Sequence, residues 1–227
     1  MINMNGFRKR AVAATMAGLL LSAVVLHEIS KVHTPLIAAE ASAGERLYYN
    51  GQVIPDQVYY ELPHYRQQDP AWGAEIMYPF NGSIELYGCA VTSLAMNAFF
   101  FGIDLNPSEM NIELDLYAAP LEWEAWTAAR NLQIKRKDSI LDAESQLQNR
   151  DYVKHETIRE LAAGYPVILG IQHSVHHTTH FVVANGYSYE NGEYTVNILD
   201  PSYNNDYQTI DDIGTDWFYT RILVVTN

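Results

Sequence analysis

Tyr87-Gly88-Cys89-Ala90-Val91-Thr92-Ser93-Leu94-Ala95-Met96 is the stretch on which the fold of this chain turns. It opens a helix predicted over residues 89–101, where Leu94, Ala98 and Phe101 recur at helical spacing and Gly102 follows as a stop. Glycine ahead of the cysteine lets backbone approach a ligand closely. The helix start presents unpaired N–H groups and the positive end of the helix dipole. That setting favours an anionic sulfur, the nucleophilic form of cysteine. The same N–H groups can stabilise a tetrahedral oxyanion. The plainer reading of Cys89 is an inert cysteine that packs as a small hydrophobe.

Beyond this helix the chain reads first as helices and then as strands. Pro107-Ser108-Glu109 opens a second helix, with proline and an acid in its first turn. Residues 120–131 form a third carrying Trp123 and Trp126. Ser139 caps a fourth reaching about Arg150, and residues 156–163 form a fifth that ends at Gly164. Residues 166–171 are then a continuously apolar strand, and residues 180–184 and 194–199 flank a hairpin signal at Asn191-Gly192. Residues 217–225 supply the last strand. Upstream, Asn50-Gly51 marks another hairpin, and residues 59–65 are predicted to enter the domain as a strand. Helices first and antiparallel strands afterwards make an α+β domain.

Arg8-Lys9-Arg10 precede an uncharged run over residues 11–26. This is a secretory signal pattern, slightly long for a signal core and short for a membrane span. Ala41-Ser42-Ala43 offers a small-residue cleavage site, with an uncleaved signal anchor as the alternative. Residues 1–43 are accordingly a signal peptide or anchor with linker, 44–58 an N-terminal extension, and 59–227 the main domain. The basic cluster places that domain outside the cytoplasm, secreted or held at the outer face of the membrane.

With 48% hydrophobic and 18% charged residues the composition is globular. The net charge is −13; setting aside the four basic and two acidic side chains of residues 1–43 leaves 10 basic and 25 acidic, a net of −15. Such a surface repels phosphate backbones and anionic lipid, so no nucleic-acid partner is expected, and membrane contact only through the N-terminal segment. One cysteine excludes an intramolecular disulfide and any multi-cysteine metal site. A lone thiol in an exported protein is an oxidation liability, which suggests that it has a use.

A nucleophilic cysteine needs a base, and His173, His176, His177 and His180 lie within eight residues. His180 begins an apolar strand, a rigid platform, while the other three read as loop residues. A metal site is the competing reading, since His176 and His180 are four apart. The surrounding Thr178, Thr179, Phe181 and Val182 favour a strand over a helix, and no Glu between the two supplies a base, so no metal or cofactor is expected. Asp200 is the candidate to orient the imidazole, or else simply starts the turn at Pro201. A strict two-residue turn at Asn191-Gly192 pairs His180 with Tyr203 and Val183 with Asp200, which puts His180 and Asp200 on opposite faces. A bulge, a longer loop or an early exit from the strand is needed to bring them together. Gln67, in Tyr65-Arg66-Gln67-Gln68-Asp69-Pro70-Ala71-Trp72, is either a surface residue or an amide donor that completes an oxyanion hole.

Three stretches taken together carry a resemblance: Gln67 to Trp72, Gly88 to Met96, and Gly164-Tyr165-Pro166-Val167-Ile168 through His180-Phe181-Val182-Val183 to Asp200-Pro201. They are similar to the bacteriocin-processing (double-glycine leader) peptidases, and more closely to their stand-alone peptidase-like relatives in the papain-like clan. The resemblance implies a papain-like cysteine peptidase fold with its nucleophile on the leading helix. It implies Cys89 as nucleophile, His180 as general base and acid, Asp200 orienting His180, and Gln67 as oxyanion donor. The partner is then a peptide or protein substrate cleaved through a thioester, or a cell-wall peptide taken by an amidase or transpeptidase with the same site. A non-catalytic binding module on this fold, with Trp72, Trp123, Trp126 and Trp217 along a groove, is the remaining alternative. Val91 stands where relatives commonly carry proline. No transporter module accompanies the domain, so cleavage of double-glycine leaders is not implied.

Overall fold

Successive residues of a strand face opposite sides of its sheet, so strands that are apolar at every position need cover on both sides. The computed structural model describes residues 46–138 and 149–227 and shows where that cover comes from. In chain order the strands are β1 (Tyr48–Tyr49), β2 (Gln52–Val53), β3 (Gln57–Tyr59), β4 (Ile76–Met77), β5 (Gly82–Ser83), β6 (Gln133–Asp138), β7 (Val167–His173), β8 (Thr179–Glu190), β9 (Glu193–Leu199) and β10 (Trp217–Thr226). The helices are α1 (Ile84–Tyr87), α2 (Cys89–Phe99), α3 (Pro107–Leu114), α4 (Trp123–Ala128) and α5 (Arg150–Ala162). An antiparallel sheet runs β3-β8-β7-β10-β6, with β9 also paired to the long strand β8. This is an α+β arrangement.

The alternation sorts the core into two halves. Val167, Leu169 and Ile171 of β7, with Val182 and Ala184 of β8, pack against Val153, Ile158 and Leu161 of α5. Their neighbours Ile168, Phe181 and Val183, with Leu223 of β10, pack against Leu94 and Met96 of α2 and against Trp123 and Trp126 of α4. Nine of the eleven residues of α2 are buried, the polar Thr92, Ser93 and Asn97 among them. Both tryptophans of α4 belong to this core, and Trp123 also lines the cleft beside Cys89.

Local chemistry sets the ends. The Asn106 side chain accepts from the Glu109 N–H at 3.0 Å while Glu109 Oε2 accepts from the Asn106 N–H at 2.9 Å, a reciprocal cap ahead of Pro107. Asn149 Oδ1 accepts from the Tyr152 N–H at 3.1 Å, so α5 starts six residues before the predicted Glu156. The third helix is shorter than its tryptophan spacing predicts. The chain after it becomes β6, a strand that the sequence does not announce and that pairing along β10 completes. The strand predicted over 59–65 stops at Tyr59. The helix predicted from Ser139 and the segment 1–43 lie outside the described residues. Among the described residues no helix is long and apolar enough to cross a membrane.

Residues 46–60 brace the sheet from one edge. β1 and β2 pair around Asn50-Gly51, where both φ angles are positive, 54° and 75°. Leu47 and Ile54 are buried in the α5 half of the core. The Leu47 N–H donates to Tyr194 Oη at 2.9 Å, and Tyr187 Oη donates to the Pro55 carbonyl at 3.1 Å. This segment is thus structural, and Leu47→Ala is expected to lower the unfolding free energy by about 2–5 kcal/mol, the usual cost of a buried Leu→Ala change. Urea denaturation checks it; an unchanged midpoint would show that the segment contributes nothing.

Candidate active site

Gly88 joins α1 to α2. Its N–H closes α1 on the Ile84 carbonyl at 2.7 Å, and its carbonyl accepts from the Thr92 N–H at 2.8 Å to start α2. A Cβ on Gly88 would lie 2.5 Å from the Ile84 oxygen and 2.6 Å from its Cγ2. No side chain fits there without moving the helix start. Cys89 is therefore the first residue of α2, and the first-turn amides of such a helix have no intrahelical acceptor. Its thiol is free, and the residue is only 8% exposed.

Cys89 lies against a cleft of about 440 Å³. Residues 118–124 form one wall, Thr179 and Phe181 another, and Tyr87 flanks the thiol. Gly170 gives Phe181 its place: a Cβ there would come within 3.1 Å of the Phe181 ring. Of the 118–124 wall the sequence offered only Trp123, one of the tryptophans expected along a groove.

His180 is the second residue of β8 and is buried. Its Nε2 lies 2.7 Å from Asp200 Oδ1, which leaves Nδ1 as the ring nitrogen that meets Cys89, with which His180 is hydrogen-bonded. Burial pulls the imidazole toward its neutral form. The hydrogen bond to Asp200, then the hydrogen bond and charge of Cys89, outweigh burial and push His180 up to about 9. The Trp217 ring stands edge-on 6.5 Å away.

Asp200 is fully buried. Oδ1 also accepts from the Ser202 N–H at 2.8 Å, and Oδ2 accepts from the Tyr207 N–H at 3.2 Å. The turn after Asp200 wraps its own amides around the carboxylate, as a buried charge requires. The register difficulty is resolved by a bulge. From Glu190↔Glu193 to Gly186↔Asn197 the hairpin follows the strict register of its two-residue turn, and then Ala184 pairs with Ile198. Asn185 is the extra residue, and the shift sets Asp200 on the face of Val182 and His180. Asn185 is fixed from β3: its carbonyl accepts from the Tyr60 N–H at 2.8 Å and its Nδ2 donates to the Tyr60 carbonyl at 3.2 Å. The chain after β3 comes close because residue 186 is glycine; a Cβ there would lie 2.5 Å from the Val58 oxygen.

Gln67 is buried, not on the surface. Its N–H donates to the Pro201 carbonyl at 2.8 Å and its Nε2 donates to the Glu85 carbonyl at 2.8 Å. It thus ties the turn after Asp200 to the helical turn before Cys89, and the second Nε2 hydrogen is not used by that bond. Gln68 bonds the same turn, donating from Nε2 to Ser202 Oγ at 3.1 Å and accepting at Oε1 from the Tyr203 N–H at 3.1 Å.

The other three histidines of the 173–180 cluster lie at the end of β7 and in the β7–β8 connection. His173 Nδ1 accepts from the Val175 and His176 N–H groups at 3.1 and 3.2 Å, and its Nε2 lies 3.1 Å from Asp216 Oδ2. His176 and His177 belong to the β7–β8 connection, with the His176 ring 4.6 Å from that of His173. Among the described residues no three His, Cys, Asp or Glu side chains are grouped to hold a metal ion.

Two outcomes follow from this geometry. Gly88→Ala drives a methyl into the Ile84 carbonyl and displaces the start of α2, at a cost of about 1–3 kcal/mol for overpacking; thermal unfolding together with alkylation of Cys89 reads both effects, and an unchanged protein would contradict the crowding. His180 has its folded-state pKa raised to about 9, above its ordinary 6.5. Its contribution to stability is therefore complete below about pH 6.5 and is lost as pH rises through about 9. Urea unfolding from pH 6 to 10 should show this decline in the wild type and a flatter profile in Asp200→Asn. Parallel profiles would count against it.

The model of the Peptidase_C39 like family matches residues 59–221, a span that includes Gln67, Cys89, His180 and Asp200. No curated protein matches the chain. Membership suggests cysteine peptidase activity and implies the papain-like fold. With most of its length matched, the chain belongs to the Peptidase_C39 like family, the papain-like cysteine peptidases of that type.

Proposed function

We propose that this chain is an exported cysteine peptidase that hydrolyses peptide bonds through Cys89, His180 and Asp200 by way of a thioester. The observation that carries the reading is the buried imidazole of His180, held between Cys89 and Asp200 and pushed up to about 9. A protonated His180 beside Cys89 stabilises the sulfur as its anion, so the reacting pair is a thiolate and an imidazolium.

The thiolate attacks the peptide carbonyl carbon, and the electron pair moves to the carbonyl oxygen. The Cys89 N–H and the second Nε2 hydrogen of Gln67 stabilise that oxyanion. Collapse of the tetrahedral intermediate breaks the C–N bond, and Nδ1–H of His180 protonates the departing amine. A water molecule then gives its proton to Nδ1 and attacks the thioester. Collapse releases the carboxylic acid and restores the thiolate beside the protonated imidazole. Asp200 keeps Nε2–H engaged throughout, so Nδ1 is the nitrogen that exchanges protons. The substrate is a peptide or protein whose chain enters the cleft walled by residues 118–124. Export rests on Arg8-Lys9-Arg10 and the uncharged run over residues 11–26.

A broad peptide library read by mass spectrometry tests the assignment. Cys89→Ala and His180→Ala should each abolish cleavage, while Gln67→Ala should slow it by about 10²–10³, the usual cost of one oxyanion donor. A Cys89→Ala protein that cut the same peptides would end the proposal.

A further inference from the structure

Arg66 is absent from every role assigned so far, yet its side chain is only 16% exposed. Its Nη1 donates to the Asp200 carbonyl at 2.9 Å and to the Ser202 carbonyl at 3.1 Å. Its Nη2 donates to Asp206 Oδ1 at 2.5 Å, and the guanidinium lies 4.9 Å above the Tyr203 ring. One planar fork therefore holds four residues of the turn spanning 200–206. That turn and the residue after it supply two of the three groups that hold the Asp200 carboxylate, the N–H of Ser202 and the N–H of Tyr207. The Asp200 carbonyl has a second donor in His64 Nε2 at 2.8 Å, but this imidazole is exposed. Next in the chain, Gln67 bonds Pro201 from its backbone and Glu85 from its side chain, so the same segment reaches toward the nucleophile.

We propose that Arg66 is a positioning residue: its guanidinium clamps the 200–206 turn so that Asp200 stays aimed at His180. The proposal rests on the reading of Cys89 and His180 as a reacting pair. Arg66 touches no reacting atom and acts through the place of the Asp200 carboxylate. The geometry asks for arginine and not merely for a cation. A lysine ammonium supplies donors from one point, whereas the fork spans two carbonyls and a carboxylate at once.

Because Cys89 is the only cysteine, alkylation by iodoacetamide reports on it alone. The rate is to be measured at pH 6, where an unassisted thiol is nearly all protonated and slow. Arg66→Ala should lose about tenfold in rate, well short of the ~10⁴-fold lost when the orienting carboxylate of a serine triad is changed. Arg66→Lys should fall between, and millimolar guanidinium ion added to Arg66→Ala should restore part of the rate. That rescue separates positioning from a general loosening of the fold, which free guanidinium does not repair. Should Arg66→Ala fail to fold, Arg66→Lys carries the comparison, with wild-type rate overturning the clamp. A folded Arg66→Ala that reacts as fast as wild type, or reacts slowly with no response to guanidinium, overturns it as well. His180→Ala is the control that tells the two readings apart. If it reacts slowly while Arg66→Ala does not, the clamp alone fails; if it reacts as fast as wild type, the reacting pair fails and takes the clamp with it.

Discussion

Burying the imidazole of His180 costs free energy unless a partner compensates, and the Asp200 carboxylate 2.7 Å away is that partner. The two groups need each other, since Asp200 is itself sealed from solvent and would be an isolated buried charge without its donors. Breaking such a pair from one side typically costs about 3–5 kcal/mol, much of it the penalty on the group left behind. The distance is therefore a stability constraint as well as a chemical one. Much of the surrounding structure serves to keep these two side chains on one face and in line.

Several unrelated parts of the chain meet that demand. The bulge at Asn185 puts Asp200 on the face of His180, and it is braced by Tyr60, the residue after β3. The turn after Asp200 folds its own amides back onto the carboxylate, and the segment of Arg66, Gln67 and Gln68 grips that turn from outside. Gln67 reaches as well to the Glu85 carbonyl, in the short helix that delivers Cys89. Thiol and carboxylate thus share a frame, although 111 positions of sequence separate them.

How much of this was legible in the sequence depended on whether the cause was local. The start of α2 was readable because Gly88, the apolar spacing behind Cys89 and Gly102 are all neighbours of the feature they decide. The hairpin at Asn191-Gly192 was readable for the same reason, since the turn chemistry sits in the turn, where φ is 54° and 89°. The register of Asp200 was not. A strict turn gives the wrong face, and the repair lies in Asn185, whose bulge is held by backbone groups of Tyr60, 125 residues earlier. Strand β6 went unread because Gln133, Lys135 and their neighbours carry no strand pattern, and pairing with β10 decides their conformation. Arg66 and His64 carried no signal in the sequence because nothing nearby shows the carbonyl that both of them bond.

The direct test of the account is the protonation of His180, followed by NMR as pH is raised, in the wild type and in Asp200→Asn. The account expects His180 to keep its proton until close to pH 9 in the wild type. In the variant, where burial is left with less to oppose it, the midpoint should fall to the ordinary imidazole range near 6.5 or below. A wild-type midpoint at or below 6.5 would contradict it, because an imidazole that gives up its proton so early cannot be held in its charged form by Asp200 and Cys89.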